Sequence, residues 1–571
     1  MQNKNLTGYP SIDKPWLKYY SDEAINTPLP ECTIYEYICD ANKDNHDKTA
    51  INYYGTEITY GELFQSISKV AGALESIGIK KGDIVTVCMI NSPEAIYLLF
   101  ALNKIGAVAN MIYGVSTEEE IAKYLEDSKS DIVFTLDIFQ MKFENIIKHT
   151  KINKVIVSTS TQSMSADEKA AMEQAMGLPT MPLPDMSEFI SWKSFMKGAK
   201  DTDTFCHDSE APAIITYTGG TTGGSKGVVA SNKGFISNIE QYKRMNIKLN
   251  RDEKWLLVLP LFIGFGNFAM MIPLSVGMTV ILRMPMAEPI AYICRKFKPD
   301  HIFYGPAFWE AFADDNEDLD ISYFIEPMTG GDTLNPNTEA KINNYFKSHG
   351  SKYKIMNGYG MSELGPGISI NCKNAYEEGS VGAPFVKTVV AAFDTETGKE
   401  LKYGESGELC VHTPSMMMEY INNPEETENI IKRHDDGLLW VHTGDYGFIS
   451  ENGFIHLKGR LKRYMLCIAN GVQKKVFSLD IEKVLLKNEL VEKCAVVPVN
   501  DAVINQAPVA YIVLKNTTSK ADAEKNLKEY CEKNLHDVYR PKHLIFTDKF
   551  PLTKVGKVDY KALEDQAENN S

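Results

Sequence analysis

The chain has 571 residues, of which 44% are apolar and 24% charged, and its formal net charge is −15. This length predicts more than one domain, and the negative charge argues against a nucleic-acid partner, whose phosphates would be repelled. The ten cysteines form no CxxC pair and no metal-type cluster, so we expect reduced thiols in a cytoplasmic protein. The first twenty residues lack an apolar core, and we do not expect a signal peptide.

Apolar runs alternate with helical patterns through most of the chain. The runs expected to form strands are 84–89, 132–134, 155–157, 255–259 and 280–282. Apolar residues at helical spacing occupy 60–77 and 118–128. This alternation predicts an α/β fold with doubly wound, mostly parallel sheets covered by helices.

Two segments need separate interpretation. Residues 158–187 are rich in Ser, Met, Pro and Ala, which predicts a surface excursion. Its methionines either cover a local apolar patch, the favoured interpretation, or form an adaptable contact for a lipid or partner. Residues 255–282 carry no charge over a length that could span a bilayer. Prolines and glycines interrupt this stretch, so we predict strand, glycine turn, buried helix and strand, and no transmembrane segment.

Shorter strands and glycine turns dominate 385–455, which predicts a small β-rich subdomain. After about residue 460 the pattern indicates a compact α+β unit, with strands at 494–499, 509–514 and 543–547 and a helix at 521–535. The predicted division is therefore a large N-terminal domain, 1–460, and a smaller mobile C-terminal domain, 461–571.

The segment 217–227 places five glycines, three threonines and one lysine directly after an apolar strand. Such a loop exposes backbone N–H groups, hydroxyls and a cation, the groups that bind polyphosphate. A flexible linker would need neither a lysine framed by glycines nor a buried strand before it. The spacing differs from a Walker-type loop because Ser225 intervenes, Lys226 comes one place late, and no hydroxyl follows it to bind magnesium.

Further motifs follow in the second half of the chain. The segment 357–363 sets an aromatic ring between glycines, which suits stacking on a flat base, and ends with a carboxylate that suits magnesium. The segments 329–332, 442–445 and 459–462 place charged residues beside glycine turns. Each of these alone is equally compatible with an ordinary turn or a solvated charge. Near the end, 551–557 places Lys557 in a glycine-containing loop.

Taken in order, these motifs resemble those of the adenylate-forming superfamily, which includes acyl-CoA synthetases, luciferases and peptide-synthetase adenylation domains. The resemblance covers roughly residues 50–565 and is closest to acyl-CoA synthetases of the 4-coumarate–CoA ligase type. Within the glycine loop the one departure is Ser225, where proline is usual.

The resemblance implies ATP, Mg²⁺ and CoA as cofactors. It implies that the nucleotide is bound by Thr218, Gly219, Gly220, Thr221, Thr222, Lys226, Gly331, Asp332, Asn357, Gly358, Tyr359, Ser362, Asp445, Arg460 and Lys557. Catalytic roles fall to Lys557, Lys226 and the magnesium ligand Glu363, and the hinge between domains falls at Lys462. The implied acid pocket comprises Phe262, Ile263, Gly264, Tyr304, Phe308 and Gly330.

Three departures from the family pattern bear on specificity. Ile263 stands where many members carry histidine, which favours an apolar pocket wall. Gly264 stands where amino-acid-activating members carry aspartate, which disfavours amino-acid substrates. The segment 471–482, which borders the pantetheine channel in relatives, is two residues longer than usual and has serine in place of proline, so it bears on CoA recognition.

The expected function is ATP-dependent activation of a carboxylic acid to an acyl-adenylate, followed by transfer to CoA. The alternative is a stand-alone adenylating enzyme that loads a separate carrier protein. A luciferase-like oxygenase shares the motifs without specific support. A non-catalytic nucleotide-binding protein would be expected to lack Lys557 or Glu363. The acid and the oligomeric state, monomer or homodimer, are left open.

Overall fold

The computed structural model describes residues 6–176, 181–218, 225–285, 288–314, 318–461, 464–469, 472–501, 503–515, 519–553 and 557–570. The strands of these residues form four sheets. Two large, mostly parallel sheets, with antiparallel strands at both edges of the first and at one edge of the second, confirm the predicted α/β fold. Parallel strands place all their carboxyl ends at one edge of the sheet, so the loops that follow them are neighbours.

The first large sheet has nine strands in a non-sequential order. From one edge to the other they are Ala383–Pro384, Ser369–Ile370, Met356–Tyr359, Met328–Thr329, His301–Tyr304, Lys254–Leu257, Thr279–Leu282, Thr49–Tyr53 and Thr56–Thr59. Its inner pairs are parallel, as in Tyr304 opposite Thr329 and Thr329 opposite Asn357. Two of the motif segments, 329–332 and 357–363, and the predicted pocket residue Tyr304 therefore lie on adjacent strands.

The second large sheet has eight strands and carries the glycine-rich segment. Its order is Glu419–Tyr420, Gly227–Ser231, Pro212–Tyr217, Val108–Met111, Ile84–Cys88, Ile132–Leu136, Lys154–Ser158 and Phe189–Ser191. The strand Pro212–Tyr217 is parallel to Val108–Met111 and antiparallel to Gly227–Ser231. The glycine-rich segment thus joins the two strands of a hairpin.

Helices cover both large sheets and begin at residues that favour helix starts. Thr59 and Thr117 each form a capping box with the glutamate three residues later. The longer helices of this region are Ile34–Asn42, Tyr60–Ser76, Pro93–Ile105, Glu118–Ser128, Gln140–Ile146, Ala166–Met176, Asn232–Lys243, Gly264–Val276, Ile290–Phe297, Pro306–Asp314, Pro336–Ser348 and Pro424–Ile430. Short helices occur at Pro10–Asp13, Asp22–Asn26 and Trp192–Phe195.

The β-rich part and the C-terminal part each have a five-stranded sheet. The first contains Val389–Phe393, Gly407–His412, Leu439–Ile449, Ile431–Arg433 and Ile455–Arg460. The second contains Val472–Phe477, Tyr464–Ala469, Asn505–Leu514, Val491–Asp501 and His543–Phe546, with helices Ser478–Leu485, Lys520–Asn534 and Tyr560–Asn570. The predictions for 494–547 are confirmed, whereas the first two strands and the first and last helices of this part were not predicted.

The C-terminal part has apolar clusters of its own, separate from the main core. One is centred on Met465, Ile481 and Leu527, and another on Val497 and Leu563. Polar contacts join this part to the rest: Lys493 pairs with Glu310 at 3.0 Å, Asn337 Nδ2 donates to Leu486 O at 2.8 Å, and Lys483 Nζ donates to Leu457 O at 3.1 Å. The rings of Tyr446 and Phe477 also stack, 4.3 Å apart. The domain boundary at 460/461 stays a prediction.

The charge-free stretch folds as predicted, into strand Lys254–Leu257, helix Gly264–Val276 and strand Thr279–Leu282. None of the helices described here has the length and hydropathy needed to cross a membrane. In the excursion 158–187, Met164, Met172 and Met186 are partly buried against the main core, which supports the apolar-patch interpretation.

Candidate active site

The glycine-rich segment begins at the carboxyl end of strand Pro212–Tyr217, and the two ends of the segment that the structure describes are hydrogen-bonded to each other. Tyr217 pairs with Gly227 across the hairpin, and Thr218 N–H donates to Lys226 O at 3.0 Å. The loop's ends are thereby clamped together. Gly219, Gly220, Thr221 and Thr222 lie outside the described residues, so their predicted phosphate contacts stay predictions.

Lys226 is half-buried and faces an acidic, aromatic corner. Its ammonium forms an ion pair with Glu426 and lies 5.0 Å above the ring of Tyr420. Tyr420 Oη in turn donates to Glu363 Oε1 at 2.7 Å, and Glu363 is only 6% exposed. Burial, with the charge of Glu363 adding to it, raises the pKa of Tyr420, so its hydroxyl stays a donor. The structure therefore brings the predicted phosphate lysine and the predicted magnesium glutamate to the same tyrosine, the first over its ring and the second at its hydroxyl.

Sequence reasoning missed Tyr420 and Glu426. The pattern Asn423-Pro424-Glu425-Glu426 predicts a helix start, and Asn423 does cap the helix Pro424–Ile430. Nothing in that pattern indicates Lys226 as a partner, 200 residues earlier. The contact arises because Glu419–Tyr420 forms the strand next to Gly227–Ser231.

A second polar group is centred on Asp445. Arg460 Nε lies 2.9 Å from Asp445 Oδ1, and Tyr359 Oη donates to Asp445 Oδ2 at 2.5 Å. The backbone N–H of Asp445 donates to Thr443 Oγ1 at 3.0 Å, which fixes the turn. Burial raises the pKa of Asp445, against the lowering effect of Arg460 and Tyr359. Three predicted nucleotide residues from separate motifs therefore meet at one carboxylate.

The remaining nucleotide residues end adjacent parallel strands. Asn357 and Gly358 belong to strand Met356–Tyr359, and Gly331 and Asp332 follow Met328–Thr329. Gly331 has φ +84°, a conformation that favours glycine, and Asp332 accepts the N–H of Thr333 at 2.7 Å. Since the strands are parallel, these loops share one edge of the sheet with Tyr359.

Lys557 reaches this edge from the far end of the chain. Its N–H donates to Thr553 Oγ1 at 3.2 Å, and its carbonyl accepts Thr553 N–H at 2.7 Å, so it closes a tight turn. The residue is accessible to solvent, but desolvation of its ammonium lowers the pKa of Lys557. The carboxylates of Asp332, Asp445 and Glu363 act in the opposite direction, and Arg460 adds to the lowering. Lys557 thus lies within electrostatic range of both polar groups.

The predicted pocket residues form two aromatic pairs. Phe262 stacks on Tyr113 with ring centroids 4.2 Å apart, and Tyr304 stacks on Phe308. The neighbouring Trp309 is fully buried and donates Nε1–H to Met328 O at 2.9 Å, so it belongs to the core. Gly330 N–H donates to Tyr304 O at 3.3 Å, which ties the second pair to the nucleotide loops.

Gly264 and Ser362 line a cavity of about 20 Å³, together with Thr216 and Pro366. A Cβ at Gly264 would lie 3.1 Å from Pro366 Cγ and 3.4 Å from Ser362 Oγ. A side chain such as aspartate would therefore require these neighbours to shift, in agreement with the sequence argument against amino-acid substrates. The half-buried Ile263 precedes this point as the N-cap of Gly264–Val276.

The hinge and channel predictions lie at the entry to the C-terminal part. Lys462 lies outside the described residues, between strands Ile455–Arg460 and Tyr464–Ala469. The lengthened segment 471–482 supplies strand Val472–Phe477 and opens helix Ser478–Leu485. Strand Val472–Phe477 pairs antiparallel with Tyr464–Ala469.

Comparison with known proteins finds two family models that match this chain. The family model described as AMP-binding enzyme matches residues 39–421, and that of the AMP-binding enzyme C-terminal domain matches 480–557. A long-chain-fatty-acid–CoA ligase of Bacillus subtilis is 28% identical over 98% of this chain and 99% of its own. A 4-coumarate–CoA ligase of Humulus lupulus is also 28% identical, over 89% of each chain.

Solved structures share the fold. An anthranilate CoA ligase in complex with anthranoyl-AMP superposes with a TM-score of 0.80 at 21% identity, covering 95% of this chain and 98% of the other. ATP-bound MatB from Rhodopseudomonas palustris also gives 0.80, at 22% identity, covering 94% and 99%. The amide bond synthetase McbA from Marinactinospora thermotolerans gives 0.78 at 21% identity, covering 94% and 100%. At these identities the likeness bears on the fold alone.

Proposed function

Because this chain belongs to the AMP-binding enzyme family, we propose that it is an AMP-forming acid–thiol ligase that joins a carboxylic acid to CoA at the expense of ATP. The observation that carries the proposal is the position of Lys557. It comes from the end of the chain and lies among charges supplied by Asp332, Glu363, Asp445 and Arg460. An ammonium among nucleotide-directed groups is suited to stabilise charge during transfer to phosphorus.

In the first half-reaction an oxygen of the acid attacks the α-phosphorus of ATP, and the bond to the bridging oxygen breaks to release pyrophosphate. Lys226 and the glycine-rich segment hold the β- and γ-phosphates. The carboxylate of Asp445 accepts hydrogen bonds from the ribose hydroxyls, and the Tyr359 ring packs on adenine. Lys557 neutralises charge where acid and α-phosphate meet. Such a transfer needs positioning and charge stabilisation more than covalent help.

Glu363 fits a magnesium ion because it supplies a buried hard oxygen beside the hydroxyl of Tyr420. A magnesium ion bound there would neutralise phosphate oxygens. Glu363 is oriented for that role by the Tyr420 hydrogen bond, which leaves its second oxygen for other ligands.

In the second half-reaction the sulfur of CoA attacks the acyl carbon, the bond to the AMP oxygen breaks, and the thiol proton passes to solvent. The proposed hinge at Lys462 lets the C-terminal part, 461–571, withdraw Lys557 and open a channel for the thiol. The aromatic pairs Tyr113–Phe262 and Tyr304–Phe308 favour an acid with an apolar acyl or aryl group. Long-chain fatty acids and 4-coumarate, named in the relatives, are the first acids to test.

The test is pyrophosphate release with ATP and magnesium across fatty, cinnamic and benzoic acids, with and without CoA, with mass spectrometry of the products. We expect one acid class to stimulate release and an acyl-CoA to form when CoA is present. Lys561→Ala is the matched control for Lys557→Ala. Lys561 is an exposed lysine four residues after Lys557, so this control should behave as wild type. An acyl-adenylate with no thioester would instead favour loading of a carrier protein. Folded protein that releases no pyrophosphate with any acid would refute the proposal.

A further inference from the structure

Three residues that the function does not use meet in the small β-rich sheet. Cys410 and His442 are direct partners on the antiparallel strands Gly407–His412 and Leu439–Ile449. His434 comes from the turn between strands Ile431–Arg433 and Leu439–Ile449 of the same sheet. One ligand atom from each of the three lies within 4.8 Å of the others. Cysteine spacing in the sequence predicted no metal-type cluster, and sheet pairing creates this one from distant positions.

The hydrogen bonds around His442 leave one of its nitrogens directed into the cluster. Its Nδ1 lies 2.8 Å from Glu408 Oε2, and its Nε2 lies 3.0 Å from His434 Nε2. Cys410 Sγ lies 3.6 Å from His442 Nδ1. A histidine that donates Nδ1–H to a carboxylate has its Nε2 lone pair free, which is the arrangement of metal-binding histidines in proteins.

The ring of His434 is held in place by its neighbours. It stacks on Trp440, with an interplanar angle of 18°, and meets the edge of Phe393 with ring centroids 4.6 Å apart. Trp440 is fully buried, and His434 and His442 are half-buried. The aromatic rings restrict the rotation of His434, while the exposed edges of the two imidazoles leave a path for an ion.

We propose that Cys410, His434 and His442 bind one divalent cation of the zinc type, through the two Nε2 atoms and, once the Cys410 side chain rotates away from His442 Nδ1, through Sγ. In tetrahedral zinc sites the Zn–N distance is about 2.0–2.1 Å and the Zn–S distance about 2.3 Å, which places ligand nitrogens roughly 3.3 Å apart. The Nε2 atoms are already 3.0 Å apart. Without an ion, one proton between these nitrogens completes a hydrogen-bond chain to Glu408. The cation takes that proton's place, and the Cys410 thiol releases its proton to solvent.

The proposed ion is connected to the nucleotide site through one carboxylate. Glu408 Oε2 accepts from His442, and Glu408 Oε1 accepts Gly444 N–H at 3.1 Å. Gly444 immediately precedes Asp445, on which Arg460 and Tyr359 converge. A bound cation would fix the ring of His442, and this ring would hold the carboxylate of Glu408 through its hydrogen bond. Glu408 would in turn hold the turn at Gly444 that precedes Asp445. Three protein ligands would leave a fourth position for water, and the role inferred for the ion is to hold this turn in place.

The experiment uses the full chain, treated with EDTA and desalted, and titrates zinc against a chromophoric chelator. We expect one zinc per chain with wild type and at least tenfold weaker binding with Cys410→Ser and with His434→Ala. Glu408→Gln should weaken binding by about 10–100-fold, the usual effect of losing such a carboxylate. The matched control is His412→Ala, which removes a nearby histidine on the same strand and should change nothing.

Cobalt gives an independent readout of the ligands. Co²⁺ bound to wild type should show a thiolate-to-metal charge-transfer band, and Cys410→Ser should lose that band while His412→Ala keeps it. Zinc should also raise the thermal midpoint of wild type but not that of the two ligand variants, whose folding is checked by circular dichroism. Should Cys410→Ser fail to fold, His434→Ala serves alone for the zinc comparison. Equal zinc affinity in wild type and the folded ligand variants, or a cobalt complex without sulfur ligation, overturns the proposal.

Discussion

The ion pair between Lys226 and Glu426 makes a direct prediction about ATP affinity. In this structure the carboxylate of Glu426 is paired with the ammonium of Lys226, the group that is proposed to bind phosphate. Nucleotide must displace that carboxylate before Lys226 can bind a phosphate oxygen. We therefore expect Glu426→Gln to bind MgATP more tightly than wild type.

The size of the effect follows from exposure. The Lys226 side chain is 28% exposed and that of Glu426 42%, so solvent screens the pair. Pairs of this kind contribute about 0.2–1 kcal/mol, which corresponds to a decrease in Kd of about 1.5- to 5-fold. The 5.0 Å contact of Lys226 with the Tyr420 ring remains in the variant and should not contribute to the difference.

Calorimetric titration with MgATP in the absence of acid measures this directly. Glu425→Gln is the matched control, because Glu425 is an exposed residue in the same helical turn and should leave Kd unchanged. The gain in Glu426→Gln should shrink in 1 M salt, where the Debye length falls to about 3 Å. Weaker binding by Glu426→Gln would refute the reasoning, since it would mean that the carboxylate assists the nucleotide or its metal.

Three further predictions concern the site and the core. Lys557→Ala should slow acyl-adenylate formation by about 10²–10³-fold while sparing thioester formation from synthetic acyl-adenylate; equal loss in both assays would contradict the assignment. Asp445→Asn removes the partner of Arg460 and Tyr359 and should weaken ATP binding by about 10- to 100-fold in calorimetry, whereas the exposed Asp435→Asn should have no effect. Burial raises the pKa of Glu94 to about 7 from 4.5. Between these values the folded protein binds more protons than the unfolded chain, so its stability falls as the pH rises from 4.5 to about 7. Glu94→Gln should therefore raise the thermal midpoint at pH 8 but not at pH 4.5, and equal shifts at both would show that Glu94 ionisation is not the cause.

The alternating patterns of the sequence predicted the two large sheets because buried parallel strands are continuous apolar runs. The helix predicted at 118–128 from its apolar spacing has the observed ends, and Thr117 and Glu120 form a capping box where it begins. The strands Tyr464–Ala469 and Val472–Phe477 were missed. In the second strand the consecutive Lys474 and Lys475 break the alternation of apolar and polar residues that marks a half-buried strand. The pairing of the two strands with each other identifies them.

The residues of the site likewise fall into those that the sequence could predict and those that it could not. Glycine-framed motifs could be predicted because the backbone there requires particular residues, as Gly331 does with its positive φ. Partner residues could not, because Glu426 meets Lys226, and His434 meets Cys410, only through sheet pairing between distant segments. A sequence pattern records local requirements of the chain, while these contacts are products of its topology.

The seam between the C-terminal part and the remainder has a consequence for how easily the two can separate. Because this part has apolar clusters of its own, separating it from Glu310 and Asn337 exposes little apolar surface besides the stacked rings of Tyr446 and Phe477. The bonds that are lost can be exchanged for bonds to water at little net cost. The position of the C-terminal part should accordingly depend on ionic strength. Conditions that weaken the Lys493–Glu310 ion pair should weaken its attachment while the apolar core of each part stays intact.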